Sequence, residues 1–246
     1  MTVCRLLVDP PAAGAWNMAV DEVILESAAE GQATLRFYQW SEATLSIGYF
    51  QRRLDRQKHT ASLACPIVRR ASGGGAIVHD RELTYAFALP AGHALARDPK
   101  SLYCAVHGAL AEVLCPPHSG HAVSLCEVAA RHDPEPFLCF QRCGNGDLQV
   151  NGFKIAGSAQ RRRQGAIVQH GSVLLGTSPA APELPGWEEL TGRRLDPDAL
   201  TAGWSAMLES RLGLELQMGG LNPVEQTRAD QLMKIKYATS RWAGRK

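Results

Sequence analysis

Hydrophobic and polar positions alternate along this chain with two different periods. Between Asn17 and about Ala29 the apolar residues Met18, Val20, Ile24 and Leu25 cluster at helical spacing, and Gly31 ends the run. Residues 34–40 and 44–50 read instead as strands joined by a short connection. The charged segment 51–59 predicts a solvated helix face, and Pro66-Ile67-Val68 a short buried strand. Residues 76–78 predict another strand, and Leu83, Tyr85, Phe87 and Leu89 alternate onto one face of the next. Ser101 is placed to cap a helix reaching about Leu114, with Leu102, Val106, Leu110 and Val113 as its stripe. The Pro- and His-rich residues 116–136 predict a surface loop, Ala166 to Leu175 a buried strand, and 176–195 a connection. Asp196-Pro197 and Asn222-Pro223 open two final helices, the second running to about Tyr237. Strands in the first two thirds and helices at the end give an α+β chain, a mixed β-sheet flanked by helices.

The segment DLQVNGFKIAG (147–157) carries the sharpest local signal. Asn151-Gly152 between alternating residues predicts a two-residue hairpin, because both loop positions need positive φ. Val150 would pair with Phe153, Gln149 with Lys154, and Leu148 with Ile155, so the four apolar side chains would share one face. Lys154 would then project from the other face. Cys139 and Cys143 lie just before this hairpin, and Gly157-Ser158-Ala159-Gln160 reads as a turn just after it. A held lysine near a thiol and a small-residue turn is a candidate acyl-transfer site. A lysine that merely solubilises a strand edge fits the same residues.

The composition narrows the classes. With 26 Lys+Arg against 24 Asp+Glu, the formal net charge of +2 gives no argument for a nucleic-acid or membrane partner. No run of about 18 apolar residues predicts a membrane span. A 45% hydrophobic and 20% charged chain fits a soluble globular enzyme, and the short apolar start falls short of a secretory signal, so a cytoplasmic protein is expected. Seven scattered cysteines fit reduced thiols better than a disulfide framework. Cys104-x-x-His107 and Cys115-x-x-His118-x-x-His121, with Cys126 and His132, have metal-like spacing. Cys104 and His107 fall within a helix, however, and Pro116-Pro117 follows Cys115, so no metal site is expected.

A second candidate is RRASGGGAIVHD (69–80). Gly73, Gly74 and Gly75 let the backbone approach a ligand closely, and successive free amides can hold an anion or a carbonyl oxygen. A flexible linker is the plain alternative; the flanking strands favour binding. The pattern G-x-x-x-x-G-K-[ST] is missing, which rejects a nucleotide P-loop. Arg70, Ser72 and His79 around the loop, and His170-Gly171 in the later strand, complete the candidates, although a lone strand histidine is also an ordinary core residue.

Taken together, RRASGGGAIVHD (69–80), NGFKIAGSAQRRR (151–163) and IVQHGSVLL (167–175) resemble the lipoate/octanoate protein ligase and transferase family, also described as biotin/lipoate A/B protein ligases. NMAVDE (17–22), RFYQW (36–40), TLSIGYFQ (44–51) and KYATSRW (236–242) extend the resemblance over nearly the whole chain. It implies a single class II synthetase-like catalytic domain over residues 1–246 with an acyl-binding tunnel; a monomer is expected. It also implies transfer of an octanoyl or lipoyl group to a lysine of a lipoyl-carrier domain, of the glycine-cleavage H type or the 2-oxoacid dehydrogenase E2 type. Ligases of the family use ATP and Mg to make an acyl-adenylate. One transferase branch instead uses a cysteine, without a cofactor, to take octanoyl from octanoyl acyl carrier protein as a thioester. Cys139-Phe140, fifteen residues before Lys154, matches the cysteine of that branch. On this reading Cys139 is the nucleophile, Cys143 its rival, and Lys154 the group that favours the thiolate. Amides of Gly157, Ser158 and Ala159 are the candidate oxyanion donors. The glycine loop, with Arg70 and His79, would wall the acyl slot, and Arg161, Arg162 and Arg163 would help to dock an acidic carrier.

Overall fold

The computed structural model describes residues 2–115, 123–127 and 135–245. Within them, eight strands form one sheet in the order β11-β1-β2-β6-β10-β9-β8-β7. These are β1 (Thr2–Val8), β2 (Ala33–Tyr38), β6 (Glu82–Leu89), β7 (Val123–Leu125), β8 (Leu148–Val150), β9 (Phe153–Arg163), β10 (Ala166–Leu174) and β11 (Leu214–Met218). β1 runs parallel to β11 and β2, while β2-β6-β10-β9-β8-β7 is antiparallel throughout, so the sheet is mixed. A smaller sheet, β4-β3-β5, is built from Thr44–Ile47 (β3), Ile67–Arg69 (β4) and Ile77–His79 (β5).

Helices cover both faces of the large sheet, so β2 and β6 are buried along their whole length. Leu83, Tyr85, Phe87 and Leu89 share one face, as their alternation requires, and join Leu35 and Phe37 beneath helices Pro99–Leu114 and Pro197–Leu212. Trp204 fills that layer, its ring 5.5 Å from Phe37 and 4.7 Å from Tyr85. The opposite face of β6 presents Ala86 and Ala88. Those small side chains let helix Gly14–Ala29 lie close to the sheet, with helix Pro223–Leu232 packed against it.

The helix starts follow their local chemistry. Asp196 and Asn222 cap as the Asp-Pro and Asn-Pro pairs predict, and the helix that Asn222 opens runs through a wider π turn (Met233–Tyr237) to Tyr237, before a short final helix, Ser240–Ala243. The cap expected at Ser101 belongs to Asp98, whose carboxylate accepts from the Lys100 and Ser101 amides, while Pro99 occupies the first turn. Further differences concern short or edge elements. β1 and β11 escape the periodicity analysis, β3 stops at Ile47, the charged segment forms 3-10 turns (Arg53–Lys58), and Trp187–Thr191 adds a short helix to the expected connection. The loop expected at 116–136 contains β7; His118, His121 and His132 lie outside the described residues. Among the described residues no group of three or more His, Cys, Asp or Glu could hold a metal. No helix there is long and apolar enough to cross a membrane.

Candidate active site

The hairpin turns where the sequence demands it, with φ of 51° at Asn151 and 84° at Gly152. Val150 pairs with Phe153 and Gln149 with Lys154, as expected. A β-bulge between Leu148 and Gln149 then shifts Leu148 opposite Ala156 instead of Ile155. Phe153 is 51% exposed at the end of the hairpin, so it does not join Leu148, Val150 and Ile155 in the buried cluster. Lys154 is 7% exposed, which removes the reading of a solubilising edge lysine.

Its burial is chemically complete. Lys154 Nζ lies 2.7 Å from Asp147 Oδ2 and 3.8 Å from Cys139 Sγ, with the Phe140 ring centroid at 5.1 Å. Burial works against the ammonium, but Cys139 and Asp147 more than offset it and raise the Lys154 pKa above its ordinary value. Asp147 is held in turn by the Gly144 amide at 2.6 Å and by the Tyr103 hydroxyl. A buried pair with both members hydrogen-bonded avoids the penalty of an isolated charge.

The expected turn at Gly157-Ser158-Ala159 is a correction: β9 continues straight through these residues, paired along β10. The Ser158 amide donates to the Tyr103 hydroxyl, which leaves it no free proton for an oxyanion. Ser158 Oγ sits 2.7 Å from His107 Nε2 and 2.7 Å from the Tyr85 hydroxyl. Because the Gly146 carbonyl can only accept, His107 Nδ1 carries the proton and Nε2 accepts from Ser158. Burial pushes His107 down to about 4, against the pull of the Gly146 carbonyl, so the ring is neutral.

The glycine loop meets the thiol through its backbone. The Cys139 amide donates to the Ala76 carbonyl at 2.7 Å, and a β-carbon on Gly75 would lie 3.0 Å from Cys139 N. Gly73 and Gly74 line an inner cavity of about 50 Å³ together with Cys139, Phe140 and Arg70. His79, Gly157, Ser158, Ala159, His170 and Gly171 also line it. The Arg70 guanidinium is spent on the carbonyls of Ser46, Gly73 and Gly75, so it shapes the loop; burial lowers its pKa to about 10, with Cys139 opposing. His79 stacks 3.9 Å from Trp40 and is held by Glu82 at 2.6 Å and Ser46 at 2.7 Å. Cys143 hydrogen-bonds with Cys126, and burial pushes its thiol up to about 12.

Ser72 lies elsewhere, on an outer cleft of about 310 Å³ that shares Met18 and His170 with the inner cavity. Arg161, Arg162 and Arg163 line the same cleft, with Arg162 bonded to the Ala96 carbonyl and Arg163 to Glu26. Ser72 Oγ is 2.5 Å from His170 Nε2, and His170 Nδ1 is 2.9 Å from Asp21 Oδ2. Asp21 also receives Arg36 at 2.8 Å and the Tyr38 hydroxyl at 2.8 Å. Sequence reasoning misses Asp21, Tyr103 and Asp147 as site residues and meets His107 only in a metal-like spacing. Asn17 and Asp21, four apart on an otherwise apolar helix face, were the available signal for the first.

The lipoyl protein ligase A/B catalytic domain matches residues 13–183, a span that contains Asp21, Cys139, Lys154 and His170. The chain belongs to that family. Octanoyltransferase LipM of Brevibacillus brevis is 32% identical, with 97% of each chain covered, and that of Kyrpidia tusciae 30% identical over 100% of each. Protein Ta0514 of T. acidophilum, solved with lipoic acid, superposes with a TM-score of 0.79 at 22% identity, covering 99% of both chains. Lipoate-protein ligase A bound with ATP gives 0.76 at 22% identity, covering 99% of this chain and 98% of its own. The mixed sheet flanked by helices is therefore the family's class II synthetase-like fold.

Proposed function

We propose that this protein is a cysteine-dependent octanoyltransferase, working as one catalytic domain. It takes octanoyl from octanoyl acyl carrier protein onto Cys139 and passes it to a lysine of a lipoyl-carrier domain. The observation that carries this reading is Lys154 Nζ 3.8 Å from Sγ of Cys139, a thiol on the inner cavity's wall. Full-length relatives described as octanoyltransferases support it. The Lys154 ammonium lies close enough to Cys139 Sγ to balance negative charge on the sulfur as it attacks and as it is released. The thiolate attacks the donor's thioester carbonyl, a new C–S bond forms, and the carrier's sulfur leaves as a thiolate that picks up a proton. Burial of the acyl tail at about 0.8 kcal/mol per methylene would contribute roughly 5 kcal/mol towards holding an eight-carbon chain. The reaction needs neither ATP nor metal.

The test is intact mass after incubation with octanoyl carrier protein. The wild-type chain gains one octanoyl group, Cys139→Ser gains none, and Cys143→Ser behaves as wild type. Loss of the adduct from Cys143→Ser alone moves the nucleophile to Cys143. The ligase reading is favoured by the cationic lining of the outer cleft, where Arg161, Lys236 and Arg245 could face a triphosphate. Pyrophosphate release from ATP and free octanoate, with Cys139→Ser still active, would decide for it.

A further inference from the structure

The amine that receives the acyl group arrives as an ammonium, for at pH 7 only about one lysine in a few thousand is neutral. It must lose two protons to become an amide, so the second half-reaction needs a base. Lys154 is unsuited, because a neutral amine there would leave the buried Asp147 carboxylate unpaired 2.7 Å away. His107 is wholly enclosed between Gly146 and Ser158, and His79 between Glu82 and Ser46, which is itself fully buried.

His170 differs in its place. It lines both the inner cavity, where Cys139 lies, and the outer cleft, and its side chain keeps 11% exposure. The Asp21 carboxylate can only accept, so Nδ1 carries the ring proton and the lone pair is on Nε2, aimed at Ser72 Oγ. Asp21 is fixed by Arg36 and Tyr38, which locks the ring's tautomer and direction. The Ser72 hydroxyl, on the outer cleft, stands between that lone pair and an amine entering there.

We infer that His170, oriented by Asp21, is the base of the second half-reaction and draws protons from the acceptor lysine through the Ser72 hydroxyl. This rests on the transferase reading above. Ser72 gives its proton to Nε2 and takes one from the ammonium, freeing the amine's lone pair. His170 returns that proton to solvent at the cleft. As the C–N bond forms and the C–S bond breaks, the second proton follows the same path, and the electron pair stays on Cys139 as a thiolate beside the Lys154 ammonium.

The test separates the half-reactions. Octanoyl-enzyme is made from octanoyl carrier protein, isolated, and discharged either to a lipoyl-carrier domain or to hydroxylamine, a nucleophile already neutral at pH 7. His170→Gln should still load octanoyl but discharge to lysine roughly a hundredfold or more slowly, while discharge to hydroxylamine proceeds at the wild-type rate. Ser72→Ala, a smaller change, should show the same split at tenfold or more if His170→Gln folds poorly. Equal slowing with both nucleophiles, wild-type discharge to lysine, or octanoyl mapped by peptide mass to Ser72 would each overturn the inference. A wild-type chain that never forms octanoyl-enzyme would overturn the transferase reading itself.

Discussion

A β-carbon on Gly157 would fall 2.3 Å from Lys154 Cε and 2.6 Å from its Nζ. The lysine therefore lies forward along its own strand, over the residue that leaves it room, to reach Asp147 and Cys139. Had residue 157 carried any side chain, the ammonium could not occupy its present position.

Gly157→Ala tests this directly. Gly157 is not among the glycines with positive φ, so alanine strains no backbone and the conflict falls on Lys154 first and then on Asp147 Oδ1, 3.1 Å away. Acylation of Cys139 should slow by roughly a hundredfold, the scale of a misplacement of about 1 Å. The thermal midpoint should fall less than in Lys154→Met, because the ammonium is shifted but stays in the chain to pair with Asp147. Stopped acylation assays beside a melting curve make the comparison.

Lys154→Met should be costly in a different currency. It strands the Asp147 carboxylate, 4% exposed, and should destabilise the fold by roughly 3–5 kcal/mol. Adding Asp147→Asn should recover much of that loss without restoring acyl transfer. Urea unfolding of both single variants and the double variant gives the coupling.

His107 predicts an acid sensitivity. Its pKa falls from an ordinary 6.5 to about 4 on folding, because burial disfavours the imidazolium. Between those values the unfolded chain binds the extra proton, so stability is full above pH 6.5 and lost as pH falls towards 4. The loss amounts to roughly 3 kcal/mol. His107→Gln should flatten this part of a plot of urea midpoint against pH, leaving the carboxylate contribution below it.

Asn222→Ala should cost about 1 kcal/mol. The side chain accepts from the Val224 and Glu225 amides, and Glu225 closes the capping box while bonding Arg5 at 2.6 and 2.7 Å. Chemical denaturation reads the change, with activity retained.

Sequence alone determined the pieces whose cause is local. Asn151-Gly152 set the hairpin, Asp196-Pro197 and Asn222-Pro223 set two helix starts, and the alternation of Leu83, Tyr85, Phe87 and Leu89 set the inner face of β6. Each depends on dihedral preference or spacing within a few residues. The thiol and lysine were also legible, fifteen positions apart around that turn. Tertiary structure decided what surrounds them. A strand pattern places Lys154 on a face without saying whether the face is wet; Asp147, Tyr103 and the bare Gly157 made it a dry, paired site. Ser158 looked like part of a turn because small residues serve turns, whereas the pairing of β9 with β10 kept it in the sheet. The contact between Asp21 and His170 spans 149 positions. No local rule encodes it, because it exists only once helix Gly14–Ala29 lies across the sheet's alanine face.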